Sequence, residues 1–375
     1  MPAKIINKIK NKISPLNEYK LFKRKTLNSQ KDNGKNVFFK FIAYTPNRRL
    51  LQLVFHFLYS GYNCYIDISF LKFLKLGDHA RYTMLLDGVF QYNKKKNINY
   101  SITVSDNNEF LNKFNPDTFK IYLNYLILEN RFKNINDVNE NDFFYPIGLH
   151  KTYLNKSCES DVLNKALNGN RKIGAVFAGN VMDDKKRNYY NMDITKKYLE
   201  INTRKEVFNY ILNNLPKDIL YTPNNLESFL KDLQEGILIN KVVLLNTEIF
   251  KIPKEIYFNI LLNSNFYIHM CGFIQPYCHN QMESKLAGCI PVTQFARFFV
   301  PPYSHEKNGL LYNTLEELLQ LLRNISSGKY SDYIISMRNE IVNYYINYYS
   351  LDSFKNKLDS LIKKNIKDTN YYILT

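Results

Sequence analysis

The chain has 375 residues, more than one ordinary core holds and comfortable for two domains. Hydrophobic residues make up 45% and aromatics 15%, which excludes global disorder, and no run of about 18 apolar residues is present to cross a membrane as a helix. The formal charge of +17 favours anionic partners, but ten Lys/Arg against two acids fall within residues 1–36, leaving +9 over the remaining chain.

The basic start, "MPAKIINKIKNKISPL", lacks the continuous apolar core of a secretory signal. Ile5, Ile6, Ile9 and Ile13 recur at helical spacing between lysines. Two readings stay open: a short amphipathic helix on an anionic membrane surface, or a basic tail. Val37 to Tyr44 then reads as a strand, Thr45-Pro46-Asn47 as a turn, and Arg48 to Tyr59 as a helix ended by Gly61. Cys64 to Ile68 reads as a second strand, which completes a βαβ unit and predicts a parallel sheet. Asn47 and Arg48 therefore fall beyond the carboxyl end of the first strand, where open α/β sheets bind ligands; for Arg48 a ligand contact and a plain solvated helix start both stay open. His56 reads as a packed core or surface histidine. Asp67, ending the second strand, and Asp87, in "LLDGVF", are candidate general bases, although Asp87-Gly88 also suits a plain turn.

Residues 116–132, "PDTFKIYLNYLILENRF", are expected to form a helix, and 151–172 a linker rich in turn residues. The α/β pattern then restarts with the apolar strand "RKIGAVFAGN", ending in Gly179 and Asn180. Helices are expected over 203–215 and 253–264, and strands over 241–247 and 265–272. Thr314 and Glu317 form a capping box for a following amphipathic helix. The expected division is a basic segment 1–36, a first domain 37–150, a linker 151–172, a second domain 173–330, and C-terminal helices 331–375 crossing back to the first domain. The fold class is α/β, with two Rossmann-like domains facing a cleft.

Five cysteines, odd in number and without CxxC spacing, indicate reduced thiols. Cys271, Cys278 and His279 lack a second ligand pair, so no metal site is expected.

The stretch "HNQMESKLAGCIPVTQ", residues 279–294, raises the chemical question. It follows a strand and a loop at Gly272, where the backbone can approach a ligand closely. Free N–H groups at the start of its helix favour a phosphate, and Glu283 could then accept hydrogen bonds from a ribose diol. The bland alternative makes Glu283 a capping or surface residue; Leu286 and Ala287 beside it argue for an inward face.

From Ser264 to Pro302 the chain resembles the donor-site region of GT-B glycosyltransferases, and most of all the exostosin-like family. Ser264, Phe266, Gly272, Glu283, Gly288, Cys289, Ile290, Pro291, Val292, Phe299, Val300, Pro301 and Pro302 match its pattern in order. Gln275 stands where many such enzymes carry a first Glu, and Asn280 where exostosin-like proteins carry Arg. The resemblance spans roughly residues 171–325 and implies a metal-independent transferase using a nucleotide sugar, UDP- or GDP-linked, as substrate with no further cofactor. It implies donor contacts at Gly179, Asn180, Lys186, Arg204, Gly272, Gln275, His279, Asn280 and Glu283. It further implies that 173–330 binds the nucleotide sugar and that 37–150 is the acceptor side, with Asn47 and Arg48 toward a saccharide or glycolipid acceptor, in bacterial capsule or lipopolysaccharide synthesis. Without a secretory signal or spanning segment, the expected place is the cytoplasmic face of a membrane, held by the basic N-terminal helix. The net charge leaves two other classes open, a nucleic-acid-binding protein and a non-catalytic scaffold; no nucleic-acid motif supports the first.

Overall fold

The computed structural model of the chain describes residues 15–25, 34–42, 48–94, 98–114, 117–126, 138–145, 147–149, 156–181, 200–272 and 277–374. Two compact α/β units result. The first holds the described residues of Met1–Leu126, Val138–Lys156 and Ser350–Thr375; the second holds those of Ile127–Asp137 and Ser157–Tyr349.

The first unit is built on seven strands: β1 (Asn36–Lys40), β2 (Asn63–Asp67), β3 (Val89–Gln91), β4 (Ile102–Ser105), β5 (Phe119–Leu126), β6 (Phe143–Phe144) and β13 (Asp368–Leu374). Their order is β3-β2-β1-β4-β5-β13-β6, and every neighbouring pair is parallel. Strand order reverses at β1/β4, the kind of switch point where the loops on either side splay apart and leave a crevice. One sheet face is covered by an aromatic layer, with Phe38 stacked on Phe114 at 4.5 Å. On the helix Arg48–Tyr59, Leu51, Val54 and Phe57 are buried at helical spacing while Phe55 and Leu58 are half-buried, and Phe57 meets Phe39 edge-on at 5.6 Å. Gly61, at φ +85°, closes that helix: Tyr62 N–H donates to Phe57 O at 3.0 Å, a left-handed turn that costs glycine nothing.

Three expectations are corrected, the last of them at the start of the second unit. Asp368–Leu374, expected within C-terminal helices, is strand β13, drawn into the sheet between β5 and β6. Residues 119–126 form strand β5 instead of a helix. Phe119, Ile121 and Leu123 are buried at a period of two, and β4 and β13 flank the segment on both sides, so its apolar content serves a central strand. Within the expected linker, Lys156–Asn168 is a helix. Val162 and Ala166 bury its inner face, and Glu159 accepts a hydrogen bond from Tyr345 Oη at 2.8 Å. Of the basic start, 15–25 is a helix packed through Phe22 and Tyr19, with Tyr19 4.9 Å from the Phe70 ring. Ile5 to Ile13 lie outside the described residues. No helix among the described residues is long and apolar enough to cross a membrane.

His56 is a core residue. It is fully buried, stacked on Phe354 at 4.5 Å and packed against Tyr145 at 4.4 Å. Gln52 accepts from Leu149 N–H through Oε1, which turns its amide Nε2 as donor toward His56 Nε2 at 2.7 Å. Nδ1 is then the protonated nitrogen, 3.4 Å from Tyr371 Oη. Burial lowers the imidazole pKa from 6.5 to about 3. Between those values the unfolded chain carries a proton that the folded chain lacks, so stability rises with pH across this window. It falls by about 1.4 kcal/mol per pH unit on acidification below 6.5. The expected result is a His56 ring-proton NMR resonance that does not titrate between pH 8 and pH 4; a midpoint near pH 6.5 would refute the assignment.

The second unit has six strands: β7 (Ile173–Gly179), β8 (Leu220–Tyr221), β9 (Val242–Asn246), β10 (Ser264–Ile268), β11 (Ile290–Thr293) and β12 (Leu310–Leu311). Their order is β12-β11-β10-β7-β9-β8, again all parallel. Here the order reverses at β7/β10. Thr314 caps the helix Leu315–Ser326 by accepting from Glu317 N–H at 3.1 Å, while the Glu317 carboxylate accepts from Asn313 N–H at 2.7 Å instead of the Thr314 N–H that a full capping box requires. The helix Ile334–Tyr348 completes this unit, and the chain returns to the first at Ser350, which caps Leu351–Lys363 ahead of β13.

Candidate functional site

The switch point of the second sheet lies between the carboxyl ends of β7 and β10, which carry Gly179-Asn180 and Cys271-Gly272. Parallel strands deliver both loops to the same edge, and the helices His279–Leu286 and Arg204–Asn214 begin there. Thr203 caps the second of these, with Glu206 answering its backbone N–H at 2.8 Å. That cap fixes where Arg204 projects. Its Nε donates to Cys271 O at 2.9 Å and its Nη1 to Asn180 O at 3.0 Å, so one guanidinium ties together the loops of the two switch-point strands. The Cys271 thiol is pushed up to about 11 by burial, with Arg204 working against the shift.

Asn280 plays the matching part in the other helix. Its Nδ2 donates to Ala178 O at 2.9 Å and lies 3.2 Å from Tyr267 Oη, which itself donates to Ala178 O at 3.2 Å. The first turn of His279–Leu286 is thereby pinned to the end of β7. A Cβ on Gly179 would lie 3.4 Å from Asn280 Nδ2 and 3.0 Å from the Phe177 ring, so a side chain there would crowd the pin. At the other end of the helix, Gly288 adopts φ +70°, and Cys289 N–H donates to Ser284 O at 2.8 Å. This left-handed turn sends the chain directly into β11.

Within that frame Glu283 is only 2% exposed. It acts electrostatically on two neighbours. The Cys278 thiol is raised chiefly by burial and further by Glu283, and the Tyr257 phenol is raised by burial, Tyr267 and Glu283. His279 is half-buried at the helix start. Gly179, Asn180, Arg204, Gly272, His279, Asn280 and Glu283 are thus brought to one edge. Lys186 and Gln275 lie outside the described residues. The arrangement offers helix N–H groups, a buried carboxylate and a glycine loop at a switch point, which together suit a phosphate flanked by a hydroxyl-bearing group.

In the first unit, Asp67 stands at the carboxyl edge of β2, paired with Lys40 at the end of β1. Asp87 is fully exposed in the turn before β3, at the amino-terminal edge of the sheet, 3.8 Å from Lys25 Nζ. The two candidate bases therefore lie at opposite edges. Asn47 lies outside the described residues; Arg48 opens the helix after β1. A carboxylate that sequence reading passed over, Asp106, follows β4 at this switch point, buried, and accepts from Ile42 N–H at 2.7 Å. Its signal was "SITVSD", an acid placed directly after a strand.

Sequence reading also missed Lys285. Its amine is fully buried, 4.0 Å from the Phe299 ring centroid and 4.7 Å from that of Tyr349, with Tyr303 at 5.5 Å and Tyr344 at 5.8 Å. Its hydrogen-bond partner is the Met282 sulfur at 3.4 Å. Burial holds the lysine well below 10.5, and the nearby lysine together with burial holds His269 well below 6.5. Among the described residues no group of three or more His, Cys, Asp or Glu is disposed to hold a metal ion.

No protein-family model matches the sequence, and no curated protein matches it. Among solved structures, HepE of Anabaena in complex with UDP is similar over 88% of this chain and 100% of its own, at 12% identity and a TM-score of 0.47. A glycosyltransferase from Rickettsia africae is similar over 89% and 98%, at 13% identity and a TM-score of 0.46. WaaG, a glycosyltransferase involved in lipopolysaccharide biosynthesis, is similar over 87% and 99%, at 10% identity and a TM-score of 0.35. Likeness at this level assigns no activity to the chain.

Proposed function

We propose that this chain is a GT-B glycosyltransferase that moves a sugar from a nucleotide-sugar donor to a saccharide or glycolipid acceptor. One observation carries the reading: Glu283, buried one turn into a helix that starts at the β7/β10 switch point, belongs to the motif whose pattern runs from Ser264 to Pro302. In this reading the diphosphate lies at the start of His279–Leu286, near Gly272 and Gly179, and the ribose lies on Glu283. Arg204 and Asn280 hold the strand-end loops in place, while Lys186, Gln275, His279 and Asn180 border the donor.

Helix N–H groups and basic side chains stabilise the leaving diphosphate in place of a cation, so the transfer is proposed to be metal-independent. The acceptor is assigned to the first unit, with Asn47 and Arg48 as its contacts and Asp67, at the carboxyl edge of the sheet, as a candidate base. The biological setting proposed is bacterial capsule or lipopolysaccharide synthesis at the cytoplasmic side of a membrane, with the basic N-terminal segment on an anionic surface.

A screen of UDP- and GDP-sugars by nucleotide release tests the proposal, with thermal shift by UDP, GDP and CMP beside it. Release from one donor class and stabilisation by its nucleotide are expected. Stabilisation by oligonucleotides and by none of the nucleotides would overturn the enzyme reading.

A further inference from the structure

We propose that the helix over 15–25 and the helix Phe70–Leu74 form a docking face for an anionic bilayer, with Leu71 entering the lipid. This rests on the membrane setting proposed above and moves the contact from the basic tail to a folded surface. The helix Phe70–Leu74 begins just after β2 ends, so it stands at the carboxyl edge of the first sheet, the edge assigned to the acceptor. Ser69 caps it by accepting from Lys72 N–H at 3.3 Å.

Leu71 is 70% exposed, and Phe70, Leu16 and Ile42 are exposed too. Tyr19 lies 4.9 Å from the Phe70 ring, and Leu16, Tyr19, Lys20 and Lys23 share one stripe of their helix, so Leu16 and both lysines come alongside Phe70. Lys72 Nζ donates to Phe41 O at 2.9 Å and to Ile42 O at 3.3 Å, which brings Ile42 to the same short helix. Single exposed apolar side chains are ordinary on a protein surface; several on adjoining segments mark a surface that meets a partner.

The charge identifies the occupant. Lys20, Lys23, Arg24 and Lys75 are exposed on these segments. The one acid within residues 15–25, 41–42 and 69–77 is Glu18, which is half-buried and accepts from Arg81 Nε at 2.7 Å. In the sequence Lys4, Lys8, Lys10 and Lys12 come directly before this face. An anionic bilayer answers both characters at once: its phosphates take the lysines, and its acyl boundary takes Leu71 and Phe70. A nucleic acid would leave the apolar side chains in water, and an apolar protein partner would leave the charge unanswered. A glycolipid acceptor held in that bilayer would be presented at the sheet edge that carries Asp67.

The chain contains no tryptophan, so Leu71→Trp places a single fluorophore on the face. Its emission is read with vesicles of phosphatidylcholine alone and of phosphatidylcholine with phosphatidylglycerol, and Ile335→Trp, at an exposed position of the second unit, is the control. A blue shift on the anionic vesicles is expected, weakened by salt, and absent both on the neutral vesicles and at position 335. In co-sedimentation with the anionic vesicles, Leu71→Ser should bind roughly tenfold more weakly than wild type and melt at the same temperature, because the side chain it loses is exposed. Wild type that sediments while Leu71→Trp shows no shift, or Leu71→Ser that binds as wild type does, overturns the face and leaves the basic tail as the contact. A wild type that stays in solution with both vesicle types overturns the membrane setting as well. Neither outcome touches the donor reading, which nucleotide release tests separately.

Discussion

Glu283→Ala is expected to weaken nucleoside diphosphate binding about 100-fold and to remove sugar transfer if the donor lies as proposed, because it deletes the carboxylate assigned to the ribose diol. Hydrogen bonds to a charged group contribute roughly 1.5–3 kcal/mol each, and in a site closed to water the loss is not made good by solvent. The scaffold around the carboxylate is set by other residues. Asn280 pins the helix start to Ala178 O, and Gly288 turns its end into β11. Melting should accordingly change little, and Glu283→Gln, which keeps the shape without the charge, should reproduce most of the binding loss. Equilibrium dialysis with UDP and GDP provides the measurement. Either variant binding and turning over donor as the wild type does would remove Glu283 from the site.

Lys285→Met should stabilise the second unit. The lysine amine sits fully buried among four aromatic rings, and no carboxylate pairs with it among the described residues. Methionine has a similar length, suits aromatic surroundings and brings no charge to desolvate. Replacing buried charges by well-packed apolar groups has gained roughly 1–4 kcal/mol elsewhere, and a gain in that range is expected here. The pH dependence separates this cause from simple repacking. Burial lowers the lysine pKa well below 10.5, so from that lowered value up to 10.5 the unfolded chain holds a proton that the folded chain lacks. Stability from this group therefore rises with pH up to 10.5 and is lost on acidification through the lowered value. Urea unfolding of the wild type should show that slope in alkaline buffer, and the methionine variant should lack it. Equal slopes in the two proteins would mean that the amine stays charged in its cage.

Much of the second unit was legible because its signals are local. A threonine cap at Thr314 and a glycine after Ala287 act over one helical turn, and the structure has both helix ends where the spacing predicts. The βαβ reading of residues 37–68 succeeded for the same reason. Two failures share the opposite cause. "FKIYLNYL" is apolar enough for either element, and only its position between β4 and β13 makes it a strand. Strand β13 comes from the last described residues of the chain, more than 240 positions after its partner β5, a separation that no sequence window spans.

By itself the sequence determined the two α/β restarts, the parallel sheets and the helix that carries Glu283, since periodicity, caps and turn glycines act between near neighbours. Only the tertiary structure decided what the polar side chains face. It turned Arg204 onto two backbone carbonyls, put Lys285 among aromatic rings from distant segments, and paired Asp67 with Lys40. Desolvation and hydrogen bonding depend on atoms brought together across the chain, and the packing of the sheets alone brings them there.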